Sequence, residues 1–182
     1  MLAVTKNVVL NFFHYFLLND FINNIINPIL SLSINIEILD KKCYNKYMSE
    51  IIKTNAMRAL DAKKIQYKVS SYEYDENDLS GVTASKKLGI DAEIMFKTLV
   101  TKSDKGEPRV FVIPVNYELD LKKCALVSKD KRLELVHVKD LLNLTGYVRG
   151  GCSPIGMKKK FKTFIDESAI LFDEIYISAG VR

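Results

Sequence analysis

The sequence has no tryptophan, two histidines, three cysteines, and no glycine in its first 47 residues although eight follow. Each shortage excludes something. His14 and His137 alone cannot build a histidine-rich metal site. Cys43, Cys124 and Cys152 are odd in number, far apart, and form no C-x-x-C pair. That argues against a disulfide framework or structural zinc and fits a reducing, cytoplasmic setting. The chain has no G-x-S-x-G elbow, no Gly-Lys-Ser/Thr phosphate loop and no dinucleotide glycine fingerprint. Nor does it contain an internal repeat or a low-complexity linker.

What is present is an ordinary globular mix. Of 182 residues, 48% are hydrophobic and 27% charged, enough for one domain with a full core. The net charge is +5, a mild lean toward an acidic partner such as nucleic acid.

Residues 1–47 differ from the rest. They hold eight asparagines in a background of Ile, Leu and Phe, including Phe12, Phe13, Phe16 and Phe21. A membrane span would be broken by Asn11, His14, Asn19, Asp20, Asn23, Asn24 and Asn27. A signal peptide would need a basic start and a small-residue cleavage site, and neither is found. An amphipathic membrane-surface helix remains a rival reading. The reading preferred here is a leader foreign to the domain and loosely packed, with the domain itself opening at Met48-Ser49-Glu50. No membrane partner is then expected.

Residues 48–182 read as short helices and strands in irregular alternation. A helix is expected over 49–64 from Ile52, Ala56 and Leu60. A strand follows at 65–69. Thr83 is expected to cap a helix that stops at Gly89, and Asp91 to cap another. Residues 96–101 and 109–115 form a hairpin about the turn 103–106. A helix capped by Asp120, a strand at 133–138, a helix over 139–144 closed by Gly146, and strands at 161–165 and 174–178 complete the pattern. This favours an α+β fold with a mixed sheet.

Three features carry candidate chemistry. Lys97 sits in the apolar strand Ile94-Met95-Phe96-Lys97-Thr98-Leu99-Val100. A cation there wants a partner, either a substrate oxygen or simply water at a sheet edge. Gly150-Gly151-Cys152-Ser153-Pro154-Ile155-Gly156 is a tight loop whose backbone N–H groups could hold an oxyanion. A plain rigid turn is the competing reading. Met157-Lys158-Lys159-Lys160-Phe161-Lys162 could touch phosphates, or be a solvated face. Cys152 and Ser153 lack a histidine–carboxylate pair to activate them, and Cys124 lies on an amphipathic helix and is expected in the core.

Three blocks in register resemble the YbaK/EbsC family of aminoacyl-tRNA deacylases, relatives of the editing domain of prolyl-tRNA synthetases. They are Phe96-Lys97-Thr98-Leu99-Val100, Gly150 through Lys159, and Ile177-Ser178-Ala179-Gly180-Val181-Arg182. The resemblance covers residues 48–182. It implies a mixed, barrel-like sheet surrounded by short helices. It also implies trans-editing that removes cysteine from mischarged Cys-tRNA(Pro) by cleavage of the aminoacyl ester, with no metal or cofactor. The substrate's own thiol is the implied nucleophile. Lys97 and Gly151 match the catalytic positions. Tyr72, Phe96, Thr98, Gly150, Ser153 and Ser178 match substrate-binding ones, and Lys158 and Lys159 would meet the tRNA backbone. The partners implied are mischarged tRNA and a prolyl-tRNA synthetase. Alternatives are an Ala-tRNA(Pro) deacylase and a non-catalytic module that binds tRNA or a synthetase.

In that family the third block continues into a glycine, an acidic residue, a strand and a helix. The expectation is therefore a C-terminally truncated domain with an open sheet edge and reduced activity.

Overall fold

The computed structural model describes residues 2–5, as backbone, and residues 53–181. Helix α1 (Asn55–Ala62) starts where Thr54 Oγ1 accepts the Met57 N–H. It buries Ala56, Met57 and Leu60 along one stripe. The expected helix over 49–64 is thus shorter at its C-terminal end, and 49–52 lie outside the described residues. Strand β2 (Tyr67–Val69) follows.

Helix α2 (Gly81–Leu88) is capped by Ser80, not by Thr83. Ser80 Oγ accepts the Thr83 N–H, and the Asp78 carboxylate accepts from the Thr83 hydroxyl and the Ser80 N–H. Those bonds, that from Thr83 foremost, hold the Asp78 carboxyl below the usual carboxylate range. Both residues suit a cap, and the helix starts at the earlier one. Gly89 ends α2 in the left-handed conformation, as expected. Asp91 opens only a turn, its Oδ1 accepting the Glu93 N–H, and no helix follows.

Strands β3 (Phe96–Ser103) and β4 (Pro108–Pro114) form the hairpin, in register from Phe96↔Pro114 to Lys102↔Pro108. Asp120 caps α3 (Leu121–Ser128) through two backbone N–H groups. Strand β5 (Leu133–Leu135) is shorter than expected and pairs antiparallel with β3. Helix α4 (Val138–Thr145) ends at Gly146. Strand β6 (Lys162–Ile165) runs parallel to β4, a 3-10 turn occupies Glu167–Leu171, and β7 (Glu174–Ile177) closes the order.

These strands make a four-stranded mixed sheet, β5-β3-β4-β6, and a second sheet of three. The fold is α+β, as the alternation predicts. The second sheet departs from expectation. Its middle strand, β1 (Leu2–Thr5), comes from the leader and pairs antiparallel with both β2 and β7. Residues 2–5 are therefore part of the domain, not a loose appendage, and they cluster in one compact unit with residues 54–181. The reading of residues 6–47 as foreign lies outside the described residues.

The two sheets meet at a bridge between Met95 and Tyr176, with the Tyr176 N–H donating to Ile94 O at 2.8 Å. Among the described residues the ladder does not close on itself, and the strands form two open sheets joined by that bridge. Nor, among them, is any helix long and apolar enough to cross a membrane.

Strand alternation splits β3 and β4 into two faces. One carries Lys97, Leu99, Thr101, Arg109, Phe111 and Ile113 and receives α3, where Phe111 stacks on Phe164 at 5.1 Å. The other carries Phe96, Thr98, Val100, Val110 and Val112, of which all but Thr98 are buried.

Candidate functional site

Val115 extends β4 by one residue past its last pair. Its N–H donates to Met95 O at 2.8 Å, and its carbonyl accepts from Lys97 Nζ at 3.1 Å. Met95 and Lys97 lie two apart on one face of the strand, so both ends of the Val115 residue are fixed to it. Lys97 is only half-buried. Burial pulls its ammonium below the ordinary lysine range, and the Glu118 carboxylate pulls back only part of the way. An ammonium has three N–H donors. Val115 O is its one acceptor among the described residues, which leaves donors for a ligand.

The Val115 side chain belongs to a cluster with Ala84 and Met95, against which Tyr72 and Tyr176 pack. Tyr72 thus packs on the cluster to which Val115 belongs, and burial raises its phenol above the ordinary tyrosine value. At the start of α2, Gly81 lies so close to Val115 that a β-carbon there would stand 2.6 Å from Val115 Cβ. Two residues earlier, Leu79 packs on Gly150, where a β-carbon would sit 3.3 Å from Leu79 Cδ1. The segment 79–81 therefore touches the lysine's acceptor with one residue and the glycine loop with another.

The loop itself is a braced structure. The Gly151 N–H donates to Val148 O at 3.0 Å, so the group expected to hold an oxyanion is already spent on a turn. Gly150, at φ +84, is exposed, whereas Gly151 is buried. Ser153 is fully buried, and its Oγ accepts the Ile155 N–H. The sequence suggested direct substrate contact for both, and here the polar groups of each are engaged within the loop, for one reason. A seven-residue loop with three glycines has unpaired backbone groups that its own turns satisfy first. Gly156, at φ +73, lets the loop lie on the start of α1, where a β-carbon would stand 2.6 Å from Asn55 O.

Phe96 is a core side chain, 1% exposed, and the hairpin register turns it and Thr98 away from the Lys97 face. They do not share one surface with the lysine. Thr98 Oγ1 is nevertheless shielded and has no hydrogen-bond partner among the described residues. Ser178 Oγ accepts the Gly180 N–H at 3.2 Å, and Thr54 Oγ1 donates to the neighbouring Ala179 O at 2.6 Å. The third block is thus tied to the cap of α1. Lys158 packs along Gly146 and donates to Leu142 O at the end of α4, a helix-end role that the sequence did not reveal. Lys159 is exposed.

Cys152 lies 7% exposed beside Thr145 and Tyr147, and burial pushes its thiol up to about 11. Tyr147, whose hydroxyl donates to Ile155 O, is pushed up to about 12 by burial. At neutral pH Cys152 is a thiol without nucleophilic character. Alkylation of the folded protein with iodoacetamide, mapped by peptide mass spectrometry, should leave Cys152 unmodified until the chain is denatured. Rapid native modification at that residue would contradict this placement.

Sequence reasoning missed Leu79, Gly81 and Val115. The glycine at 81 was readable only as the end of a polar loop. Its contact with Val115 depends on long-range packing.

The chain was compared with known proteins. The sequence pattern of the aminoacyl-tRNA editing domain matches residues 79–182. An Enterococcus faecalis protein with the provisional name Cys-tRNA(Pro)/Cys-tRNA(Cys) deacylase EbsC is 50% identical over 130 residues, covering 71% of this chain and 79% of that one. Two crystal structures share the fold. One, described as a candidate trans-editing enzyme for prolyl tRNA synthetase, is 22% identical with a TM-score of 0.61 and covers 70% of this chain and 79% of its own. The other, a hypothetical protein, is 18% identical with a TM-score of 0.63 and covers 70% and 83%.

Proposed function

Because the chain belongs to the aminoacyl-tRNA editing domain family, we propose that it is a cytoplasmic trans-editing deacylase that removes cysteine from Cys-tRNA(Pro). The observation that supports this best is the half-buried Lys97 ammonium, fixed on Val115 O with donors to spare. Segment 79–81 links its acceptor by contact to the exposed turn at Gly150. In this reading the aminoacyl ester lies against Lys97, with Tyr72 beside it. Lys97 offsets the negative charge that develops on the carbonyl oxygen.

The described residues offer no activated protein nucleophile, which fits attack by the substrate's own thiol. Its sulfur bonds to the carbonyl carbon, the ester C–O bond to the ribose breaks, and the thiol proton passes to the departing ribose oxygen. Water then opens the cyclic thioester to free cysteine. The protein's work is positioning and charge stabilisation. Lys159, exposed beside the glycine loop, is assigned to the tRNA backbone, and a prolyl-tRNA synthetase is the proposed protein partner.

The test is single-turnover hydrolysis of Cys-tRNA(Pro), Ser-tRNA(Pro) and Ala-tRNA(Pro). The cysteine ester should be cleaved at least about tenfold faster than the other two, because only it carries the attacking group. Equal rates for cysteine and serine would overturn the thiol route. No hydrolysis of any of the three would overturn the enzyme.

A further inference from the structure

Gly81 is the first residue of α2, and its backbone is not left-handed. Conformation therefore does not require glycine there, and alanine would ordinarily favour the helix. Space does require it. A β-carbon at position 81 would stand 2.6 Å from Val115 Cβ and closer still to one of its methyls. The atom in the way is joined directly to the backbone, so relief means moving Val115 itself. Val115 is the residue whose N–H is fixed to Met95 O and whose carbonyl holds Lys97 Nζ.

From this we infer that Gly81 is a positioning residue: by lacking a side chain it sets where the Val115 carbonyl stands, and through it the place and direction of the Lys97 ammonium. The inference rests on the reading of Lys97 given above for its effect on rate. Its structural half stands without that reading. Displacing an acceptor by a few tenths of an ångström weakens a 3.1 Å bond and lets a flexible lysine swing toward water. Tyr72 packs against the cluster of Ala84, Met95 and Val115, so a shift of Val115 is felt by the side chains around it.

The experiment uses the full chain carrying isotope-labelled lysine, with the Lys97 side-chain NMR signal assigned by its loss in Lys97→Arg. Gly81→Ala should move that signal and its titration midpoint, and Val115→Gly added to Gly81→Ala should bring both back toward wild type. The kcat/KM for Cys-tRNA(Pro) should fall about tenfold in Gly81→Ala. It should fall no further when Gly81→Ala is added to Lys97→Ala. An unmoved lysine signal overturns the inference. So does an equal rate loss with and without Lys97, which marks a structural role only. A Lys97→Ala variant as fast as wild type instead rejects the role given to the lysine, while the NMR signal still decides its link to Gly81. If Gly81→Ala does not fold, the signal is read in Val115→Gly alone, which removes the Val115 atoms that lie against Gly81. No movement there is equally decisive against the inference.

Discussion

Lys97→Ala is expected to slow release of cysteine from Cys-tRNA(Pro) by about 100-fold, the usual loss when one preorganised charge at a developing oxyanion is removed. The fold should survive, because Lys97 is half-buried and bonded to a single backbone carbonyl. Lys97→Arg should restore little. A guanidinium is broader than an ammonium and cannot reuse the same point contact. A pH profile adds an independent check. Burial lowers the proton affinity of Lys97. The rate, corrected for uncatalysed ester hydrolysis, should therefore fall as pH rises through that lowered value, before free lysine would lose its charge. The stability consequence has the opposite sense. Between the lowered folded value and the ordinary lysine value the unfolded chain binds the proton better, so stability rises with pH across that window. Lys97→Met should accordingly leave the protein at least as stable as wild type while removing activity, measured by Tm and single-turnover rate. Wild-type activity in Lys97→Ala would end the proposed mechanism.

Asp130→Ala is expected to cost roughly 2–3 kcal/mol of folding stability. Arg109 is 8% exposed, and its guanidinium donates to both Asp130 oxygens at 2.8 and 3.0 Å and to Glu107. Glu107 is itself largely exposed and cannot replace Asp130. Removing Asp130 leaves a buried cation with one screened counter-charge, Glu107, and a single backbone carbonyl, that of Pro108, an arrangement in which the desolvation cost is not recovered. The pair joins the start of β4 to the end of α3, so the loss should be felt by the whole sheet face beneath that helix. The pH dependence follows. Burial alone would raise the Asp130 carboxyl, but hydrogen bonds from Ser128 and Arg109 and the charges of Arg109 and Lys105 outweigh it and hold it below the usual range. Its contribution is present above the unfolded carboxylate value and is lost as pH falls through the lower folded one. Urea melts of wild type and Asp130→Ala should therefore converge in acid. A constant difference between about pH 7 and about pH 3 would contradict this account.

Much of this was readable in the residues, and the misses have physical causes. Gly89 and Gly146 ended their helices as expected, because only a residue free of a Cβ enters the left-handed cap without strain. Asp120 capped α3 because its carboxylate reaches two orphan N–H groups. Thr83 was the expected cap of α2, but the helix starts one turn earlier, at Ser80, and Asp78 accepts from both residues. The opposite facing of Lys97 and Thr98 was legible from strand period alone. Grouping them as one surface overlooked it. The hidden parts are those set by distant packing. The Gly151 N–H looked free until Val148 O claimed it. The bond from Lys158 to the end of α4 was likewise invisible in the local pattern. The contact of Gly81 with Val115 has no signature in local pattern at all.

The placement of β1 has a kinetic consequence. Leu2 pairs with Val69 on one side and with Ile177 on the other, and among the described residues β2 and β7 are joined in their sheet only through that strand. The pairing of β1 with β7 thus joins segments far apart in sequence. During synthesis β1 emerges before β7 and stays unpaired on that edge until β7 follows. Local hairpin and helix formation can proceed without it, so docking of this early strand is the slow step to look for in refolding. Until it docks, two bare strand edges are open to pairing with another copy of the chain.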